Sequence, residues 1–302
     1  MLLSAGRGTR LAPLTDEVPK AIFPILDVPL GGFGLRQLLS VCASVFVNVH
    51  APAHSAVESA LAPIASLGPA PVTFVEEFPK PFGAAGTLVA LGERISDFVV
   101  TWNADTVTDL AAQDLLDAHG ASGAPATIAV LPVDRGADVS FEGACATAYI
   151  NRHDRADASG GRFIGVAVLE RALLETLSGG TPLGLAEAVL EPLVRSGELA
   201  IYPHTGYAID VGTFPRYLQA SIDLLEGRGP KPPLAWPGDV VALGAEVAYV
   251  GPGVSASRDS LGAGAVLLGG SQVRDGAFVE RAVVWPGAIV PAGTRVNNSV
   301  WW

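Results

Sequence analysis

Apolar and polar residues follow one another in short blocks along the first 226 residues of the chain. Runs rich in β-branched and other apolar residues predict strands, as in VFVNVH (45–50), PVTFVEE (71–77), DFVVTW (97–102), ATIAVLP (126–132), FIGVAVLE (163–170) and ELAIYP (198–203). Leucines at helical spacing within PLGGFGLRQLLSVCA (29–43) predict a helix, and further helices are expected near 55–65, after GAAGT, and over 183–194. Strands that alternate with helices predict an α/β domain with a mostly parallel sheet and helices on both faces.

The pattern changes after Glu226, where a Pro- and Gly-rich connector, GRGPKPPLAWPGD, precedes a region without helical periodicity. There, with one shorter step, apolar residues recur every six positions, at Leu261, Leu267, Val273, Val279, Val284, Val290, Val296 and Trp302. This repeat predicts a short left-handed parallel β-helix of about three coils. A small β-sandwich, the alternative, would show period-two alternation and longer strands. We therefore expect three segments, 1–226, 227–238 and 239–302, with few contacts crossing the connector.

Composition and charge exclude several classes of protein. Hydrophobic residues make up 49% of the chain and charged residues 16%, which excludes general disorder. The formal net charge of −11 argues against a nucleic-acid partner and against an anionic membrane surface. No run approaches the roughly 18 consecutive apolar residues of a membrane helix, and MLLSAG is too short for the apolar part of a signal peptide. Two cysteines offer no disulfide framework, so the expected location is the cytoplasm.

The stretch GRGTRLAPLTDEVPK (6–20) places cations around a glycine-rich turn, in a chain with only three lysines. Glycines allow backbone N–H groups to converge on phosphate oxygens. Arg10 and Lys20, with Arg7 nearby, would neutralise further negative charge. The spacing matches neither the Walker A loop nor the dinucleotide-binding fingerprint. The residues alone therefore predict a site for a small phosphorylated ligand.

The same stretch resembles the signature of the sugar-1-phosphate nucleotidyltransferases, G-x-G-T-R-x-x-P-L-T-x-x-x-P-K. Every fixed position of that signature matches, at Gly6, Gly8, Thr9, Arg10, Pro13, Leu14, Thr15, Pro19 and Lys20. Three later segments resemble the family's segments in the same order: FGAAGTL (82–88), WNADT (102–106) and IDVGTFPRYLQA (209–220). The resemblance covers residues 1–226 and implies a Rossmann-like mixed sheet flanked by helices.

The resemblance also implies a reaction, in which a sugar-1-phosphate oxygen attacks the α-phosphorus of a nucleoside triphosphate and pyrophosphate leaves. It implies that Arg10 holds the pyrophosphate and that Lys20 holds the phosphates beside the α-position. The residues implied to contact the nucleotide are Ala5, Gly6, Gly8, Thr9 and Gly86, and those implied on the sugar-phosphate side are Gly165 and Arg162.

Two aspartates, Asp105 and Asp210, are implied by the resemblance to bind Mg²⁺. Both follow apolar runs, at the carboxyl ends of strands where open α/β sheets build their sites. Mg²⁺ prefers one or two carboxylates completed by substrate phosphates and water, so a pair of this kind suits it. Each aspartate taken alone would be a surface turn residue. The histidines show no metal-ligand spacing.

The substrate pair is open at this level. The family's E-K-P segment, which carries a second lysine, is absent, and Arg162 is the nearest cation in the corresponding span. Proline before Lys20 resembles the guanylyl- and uridylyl-transferring branches, so GTP or UTP is expected rather than dTTP. The hexapeptide tail favours an enzyme similar to mannose-1-phosphate guanylyltransferases. The alternatives are a uridylyltransferase acting on N-acetylmuramate- or hexose-1-phosphate, and a non-catalytic regulatory subunit that binds a nucleotide-sugar. The tail is expected to pack on the catalytic domain or to build a homo-oligomer.

Overall fold

The computed structural model describes residues 1–6, 8–150, 155–177 and 182–302. Arg7 therefore lies outside the described residues. Over the described ranges the α-helices are α1 (Leu14–Glu17), α2 (Gly31–Val41), α3 (His54–Ala65), α4 (Ala84–Leu91), α5 (Ala112–Ser122), α6 (Arg171–Glu175), α7 (Glu191–Ser196) and α8 (Phe214–Leu225). A π-helical turn, Ala186–Leu190, leads into α7, and short 3-10 turns include Thr9–Leu11 and Lys20–Ile22.

The strands divide into two groups along the chain. Those before residue 226 are β1 (Leu2–Leu3), β2 (Pro24–Ile25), β3 (Val28–Pro29), β4 (Val45–His50), β5 (Val72–Glu77), β6 (Phe98–Asn103), β7 (Thr106–Thr108), β8 (Ala126–Val133), β9 (Val139–Glu142), β10 (Cys145–Tyr149), β11 (Gly160–Glu170), β12 (Leu199–Pro203) and β13 (Ala208–Asp210). Those after it are β14 (Asp239–Leu243), β15 (Glu246–Val250), β16 (Ala265–Leu267), β17 (Gln272–Val273), β18 (Phe278–Glu280), β19 (Ala282–Val284), β20 (Ile289–Val290), β21 (Arg295–Asn297) and β22 (Val300–Trp301).

A nine-stranded sheet forms the centre of the first group, in the order β5-β4-β1-β6-β11-β8-β12-β10-β9. In one half, β1 runs parallel to both β4 and β6, and β4 runs parallel to β5. In the other half, β11 is antiparallel to both of its neighbours, β6 and β8. The expectation of a mostly parallel sheet is therefore wrong for that half, because an apolar run encodes burial and not strand direction. The resulting mixed sheet confirms the α/β class implied by the resemblance.

Two apolar layers cover the two faces of this sheet, as predicted. One layer contains α2, α3 and α5, whose leucines and isoleucines pack with Trp102 of β6: Leu35, Leu38, Leu61, Ile64 and Leu115. The other contains α4 and α7, through Leu88, Leu91 and Leu193. Burial of both faces explains why the central strands are almost continuously apolar. Among the described helices, none combines the length and the apolar character needed to cross a bilayer.

The second group of strands forms parallel ladders between positions 17 residues apart. Tyr249 pairs with Val266, Val266 with Val283 and Val283 with Val300. Two further ladders join β17 to β20 and β18 to β21, again in parallel. A hairpin between β14 and β15, which the six-residue repeat did not predict, precedes the first ladder.

The six-residue repeat contains a five-residue step in each turn of this pattern, which shifts the last apolar position. Val284 pairs with Trp301, so the expectation that Trp302 continues the repeat is wrong. Trp302 is instead 54% exposed and stacks on Phe214 of α8, with ring centroids 5.1 Å apart. A repeat of 17 residues needs one side with five positions, and the sequence shows this only as an irregular step.

The two groups of strands share one apolar core, so the expectation of few crossing contacts is wrong. Phe23 and Tyr217 pack with Tyr249, Val266 and Val283 of the second group in one buried cluster. The hairpin between β2 and β3 supplies a polar contact as well. Asp27 at its tip accepts hydrogen bonds from the Tyr249 hydroxyl at 3.0 Å and from the Gly269 backbone N–H at 2.9 Å. Burial raises the pKa of the Asp27 carboxyl, with the two hydrogen bonds opposing the rise.

Candidate active site

A cavity of about 420 Å³ opens at the carboxyl ends of three parallel strands of the central sheet. Leu3 of β1 pairs with Asn48 of β4 on one side and with Asn103 of β6 on the other, so these residues lie at one edge. Such an edge is where open α/β sheets bind ligands. The residues that line the cavity are Leu3, Ser4, Ala5, Gly6, Gly8, Thr9, Arg10, Lys20, Ala21, Asn48, Glu77, Pro81, Gly83, Ala84, Asn103, Ala104, Asp105 and Gly212.

The glycine-rich turn folds back onto the segment that carries Lys20. Gly8 has a φ of +61°, and a Cβ there would lie 3.0 Å from the Thr15 side chain and 3.3 Å from Lys20. The Thr15 hydroxyl donates to the Gly8 carbonyl at 3.2 Å, and the Leu11 N–H donates to the same oxygen at 2.9 Å. Glycine is therefore required at position 8 by both conformation and space.

Asp105 and Asp210 are brought together by a short antiparallel ladder between β7 and β13. Thr106 pairs with Asp210, and the Val211 N–H donates to the Asp105 carbonyl at 2.9 Å. The two aspartates are more than 100 positions apart in sequence, and a pairing of only three residues on each strand joins them. The predicted carboxylate pair is therefore present as a pair.

Lys20 lies between these two carboxylates. Its Nζ forms an ion pair with Asp105 Oδ2 and lies 4.0 Å from Asp210 Oδ1. The Lys20 side chain is 10% exposed, although its place in a Pro-Lys turn suggests an exposed lysine. The ammonium group offsets the repulsion between two acidic groups that few water molecules reach.

The electrostatics of Asp210 reflect its crowded surroundings. Burial raises the pKa of the Asp210 carboxyl, the nearby Asp105 charge raises it further, and Lys20, Arg216 and Arg10 lower it in that order. Arg10 reaches this group from the glycine-rich turn, since a Cβ on Gly212 would lie 2.8 Å from Arg10 Nη2 and 3.0 Å from Asp210 Oδ2. Gly212 thus leaves room for the guanidinium beside the carboxylate.

The donor set fits Mg²⁺ in kind and number. Two carboxylates that repel one another would both gain from a shared divalent cation, and their oxygens are ligands of the hard type that Mg²⁺ takes. Over the described ranges, no three or more His, Cys, Asp and Glu side chains gather as a metal cage. The protein would therefore supply two ligands, and phosphate oxygens and water would complete the octahedron.

A fully buried carboxylate, Glu77, connects the glycine-rich turn to the turn before α4. Glu77 accepts hydrogen bonds from Asn48 Nδ2 at 2.8 Å, from the Phe82 N–H at 2.7 Å and from the Thr87 hydroxyl. Asn48 in turn accepts from the Ser4 N–H at 2.6 Å. The sequence analysis missed this network, since its members come from four elements and no spacing rule links them.

The turn before α4 faces the cavity with Gly83 and Ala84 rather than with Gly86. Gly83 has a φ of +77°, and a Cβ there would lie 2.4 Å from the Leu183 carbonyl oxygen. Gly86 is buried inside α4, where its N–H donates to the same Leu183 oxygen at 3.2 Å. Among the described residues that line the cavity, Gly86 is absent, unlike the other nucleotide-side residues of the sequence analysis.

A smaller cavity of about 240 Å³ adjoins the first at Asp210. Its lining residues are Leu131, Arg162, Phe163, Ile164, Ala208, Ile209, Asp210 and Arg216. Asp105 lines the larger cavity and Asp210 the smaller one, so the carboxylate pair lies where the two meet. Arg216, which the sequence analysis did not select, has its Nη1 3.6 Å from Asp210 Oδ2.

Gly165 lies between the two cavities, in a bulge of β11. It has a φ of +80°, and a Cβ there would lie 2.5 Å from Asn103 Nδ2 and 2.8 Å from the Thr106 hydroxyl. Gly165 therefore allows β11 to approach the strand that leads to Asp105. Of the two residues expected on the sugar-phosphate side, Arg162 lines the smaller cavity, and Gly165 shapes the wall beside it.

Comparison with known proteins agrees with this geometry. Residues 1–141 match the nucleotidyl transferase family. The chain is 26% identical over 314 residues, 98% of this chain and 80% of the relative, to a mannose-1-phosphate guanylyltransferase from Mycobacterium tuberculosis. It is 28% identical over 236 residues, 73% of this chain and 95% of the relative, to an N-acetylmuramate alpha-1-phosphate uridylyltransferase from Neisseria meningitidis serogroup B.

Similarity of fold extends to a solved structure of a Bacillus anthracis protein assigned as a glucose-1-phosphate thymidylyltransferase, in complex with sucrose. The TM-score is 0.61 at 15% identity, covering 73% of this chain and 92% of that one. The matched domain includes the glycine-rich turn, Lys20 and Asp105, and both relatives align well beyond it. The chain belongs to the sugar-1-phosphate nucleotidyltransferase family.

Proposed function

We propose that the protein transfers a nucleotidyl group from a nucleoside triphosphate to a sugar-1-phosphate, with Mg²⁺ held by Asp105 and Asp210, and that it releases pyrophosphate. The observation that carries this proposal is the position of Lys20 between the two carboxylates, where two cavities meet. One cavity offers backbone N–H groups and cations for a triphosphate, and the other offers room for an acceptor. A reaction that joins two phosphorylated substrates needs this arrangement.

In the proposed complex, the triphosphate lies along the turn formed by Ala5, Gly6, Gly8 and Thr9. Arg10 binds the oxygens of the leaving pyrophosphate, and Lys20 turns from Asp105 to the α-phosphate as the substrates arrive. Both side chains stabilise charge that grows on phosphate oxygens during transfer, and no covalent intermediate is required. A bound Mg²⁺ supplies Lewis-acid stabilisation of the same oxygens. Gly83 and Ala84, rather than Gly86, are the backbone groups at the base and ribose.

The preferred substrate pair is GTP with mannose-1-phosphate. This preference rests on a guanylyltransferase relative that aligns over 98% of the chain, including its C-terminal strands. UTP with N-acetylmuramate-1-phosphate is the second candidate, since the uridylyltransferase relative is slightly more identical but aligns over 73% of the chain. A purely regulatory, non-catalytic role is disfavoured, because a binding protein has no need of two costly neighbouring carboxylates with a lysine between them.

We further propose that residues 1–226 are the catalytic domain, that 227–238 are a connector, and that 239–302 form a left-handed parallel β-helix. The parallel ladders at 17-residue intervals support the last assignment. The β-helix packs on α8 and is proposed to join copies of the chain through its remaining surface. A cytoplasmic location suits substrates that are made and used inside the cell.

The test is a pyrophosphate-release assay over a matrix of GTP, UTP, dTTP and ATP against mannose-, glucose- and N-acetylmuramate-1-phosphate, with and without Mg²⁺. We expect turnover that requires Mg²⁺ and is highest for GTP with mannose-1-phosphate. Highest turnover for UTP with N-acetylmuramate-1-phosphate would select the second candidate. Nucleotide-sugar binding without turnover in any cell of the matrix would overturn the catalytic proposal.

A further inference from the structure

The smaller cavity beside Asp210 has the composition of a site for an anionic organic molecule. Five of its lining residues are apolar, namely Leu131, Phe163, Ile164, Ala208 and Ile209, and two are arginines. In this part of the described structure the only carboxylate on the cavity wall is Asp210, which already faces Lys20. Apolar walls with convergent cations are the usual environment of a bound ligand that carries a negative charge.

Arg216 projects from the first turn of α8 toward this cavity. Its Nη1 donates to the Asp210 carbonyl at 3.4 Å and lies 3.6 Å from Asp210 Oδ2, so both contacts are long. A guanidinium has five N–H donors, and these contacts engage a single nitrogen. The side chain is 40% exposed, which leaves the remaining donors accessible from the cavity.

Arg162 faces the same cavity from β11. Its Nε is shielded from solvent and has no hydrogen-bond partner among the residues that the structure describes. A buried donor without a partner is unfavourable and calls for a specific explanation. A ligand in the cavity that accepts a hydrogen bond would provide one.

We propose that Arg216 binds the phosphate of the acceptor sugar-1-phosphate, with Arg162 contacting the same ligand deeper in the cavity. This proposal deepens the proposed function and rests on it. It assigns the role of a second acceptor-side cation to a residue of α8, close to the Asp210 carboxylate. The sugar itself would lie against the apolar wall formed by residues such as Phe163 and Ile209.

This placement suits the direction of the reaction. An acceptor phosphate on Arg216 approaches the α-phosphorus from the Asp210 side, while Arg10 holds the pyrophosphate in the larger cavity. In-line transfer requires the attacking and leaving oxygens on opposite sides of the phosphorus. A bond forms between an acceptor phosphate oxygen and the α-phosphorus. The bond from that phosphorus to the bridging oxygen breaks, and pyrophosphate leaves with the electron pair.

The experiment compares Arg216→Gln and Arg216→Lys with the parent in the full-length protein. For Arg216→Gln we expect the KM for mannose-1-phosphate to rise about tenfold to a hundredfold, as for a lost charged hydrogen bond. The KM for GTP and the Mg²⁺ concentration for half-maximal rate should stay within about twofold of the parent values. Arg216→Lys, which keeps the charge, should recover part of the loss.

Arg171→Gln is the matched control. Arg171 is also 40% exposed and also contacts a carboxylate, that of Glu175 at 3.1 Å, but it lines neither cavity of the site. We expect its kinetic constants to equal those of the parent. If Arg216→Gln changes the Mg²⁺ requirement and the KM for GTP as much as the KM for the sugar phosphate, Arg216 only compensates Asp210, and the proposal is overturned.

Thermal denaturation without turnover separates this proposal from the proposed function. Mannose-1-phosphate and N-acetylmuramate-1-phosphate are added singly to parent and variants, with GTP as a second probe. We expect at least one sugar phosphate to raise the melting temperature of the parent and not that of Arg216→Gln, while GTP raises both. That result in a parent without turnover would retain the binding role and reject the reaction. A parent that responds to GTP but to neither sugar phosphate would overturn the binding role.

Discussion

At the scale of single residues, the site is built on charge compensation between near neighbours. Lys20 is almost buried between Asp105 and Asp210, and the three groups together carry one net negative charge. An isolated buried carboxylate pair would be strongly unfavourable. The lysine therefore has a structural effect before any substrate binds, in addition to its proposed contact with phosphate.

Lys20→Met should lower kcat/KM by at least about tenfold, since a charged hydrogen bond to phosphate contributes about 1.5–3 kcal/mol. Methionine keeps the stem that packs against Gly8, which limits the effect on folding. Pyrophosphate release measures the loss. Lys231→Met, in the exposed connector, is the control and should match the parent. Activity of the Lys20 variant within a factor of two of the parent would contradict the assignment.

Asp105→Asn and Asp210→Asn should each abolish Mg²⁺-dependent turnover, and the double variant should be scarcely worse than either single one. Residues that hold one metal act as a unit, so their kinetic effects do not add. The melting temperatures should differ, however. Asp105→Asn removes the partner of Lys20, whereas Asp210→Asn relieves a carboxyl whose pKa is raised by burial and by Asp105.

We therefore expect Asp105→Asn to melt at a lower temperature than the parent, and Asp210→Asn to melt at the same temperature or higher. Calorimetry on metal-free protein measures both. Multiplicative kinetic losses in the double variant would mean that the two carboxylates act separately.

At the scale of elements, the turn before α4 shows how backbone contacts shape the cavity wall. Gly83 packs against the backbone of Leu183 so closely that any Cβ would collide with it, and its φ is positive. Gly86, one helical turn later, meets nothing nearer than 3.3 Å from an added Cβ. The two glycines of one motif therefore have different reasons to be glycine.

Gly83→Ala should lower the melting temperature clearly, because strain at positive φ adds to a collision with a carbonyl oxygen that cannot turn away. Gly86→Ala is the matched stability control. Alanine is preferred to glycine inside a helix, so its melting temperature should stay within about 2 °C of the parent or rise. Thermal denaturation by circular dichroism measures both. Equal losses in the two variants would show that the space around Gly83 adapts.

At the scale of the whole molecule, the C-terminal strands complete the core of the catalytic part. Phe23 contacts Trp285 at 4.9 Å between ring centroids, and Tyr217 contacts it at 5.9 Å. Tyr217 also donates a hydrogen bond to the Pro24 carbonyl at 2.5 Å. The hairpin, α8 and the second group of strands are thus held by one set of aromatic contacts.

Deleting residues 237–302 should lower the melting temperature strongly, since it uncovers the apolar side of α8 and the ring of Phe23. Nucleotidyl transfer should remain detectable in the protein that folds, because the lining of both cavities ends at Arg216. Light scattering, thermal denaturation and pyrophosphate release are compared with those of the parent. Complete loss of activity in a folded, truncated protein would contradict this separation of roles.

Trp285→Ala tests the same junction if the truncated protein does not fold. We expect it to lower the free energy of unfolding by about 3 kcal/mol, the low end for an aromatic truncation, because Trp285 is only half-buried. Trp302→Ala removes a more exposed stacking contact and should cost less than about 1.5 kcal/mol. Equal small effects for both would mean that the junction contributes little to stability.

The glycine-rich turn, the two aspartates and the six-residue repeat were all evident in the order of the residues. Each depends on local chemistry: a turn that requires glycine, carboxylates at strand ends, and apolar positions at a fixed step. The pattern likewise predicted the α/β class and the helices on both faces, since periodicity reports which side of an element is buried.

Strand direction, long-range pairs and domain contacts came only with the tertiary structure. Nothing in the apolar run of β11 distinguishes an antiparallel strand from a parallel one, and nothing near Lys20 indicates that Asp105 would bury it. Arg216 and Asp27 have unremarkable neighbours in sequence, and their partners come from the packing of β13 and of the C-terminal strands. Local sequence encodes the preferences of one segment, whereas these contacts depend on which distant segments the shared core brings together.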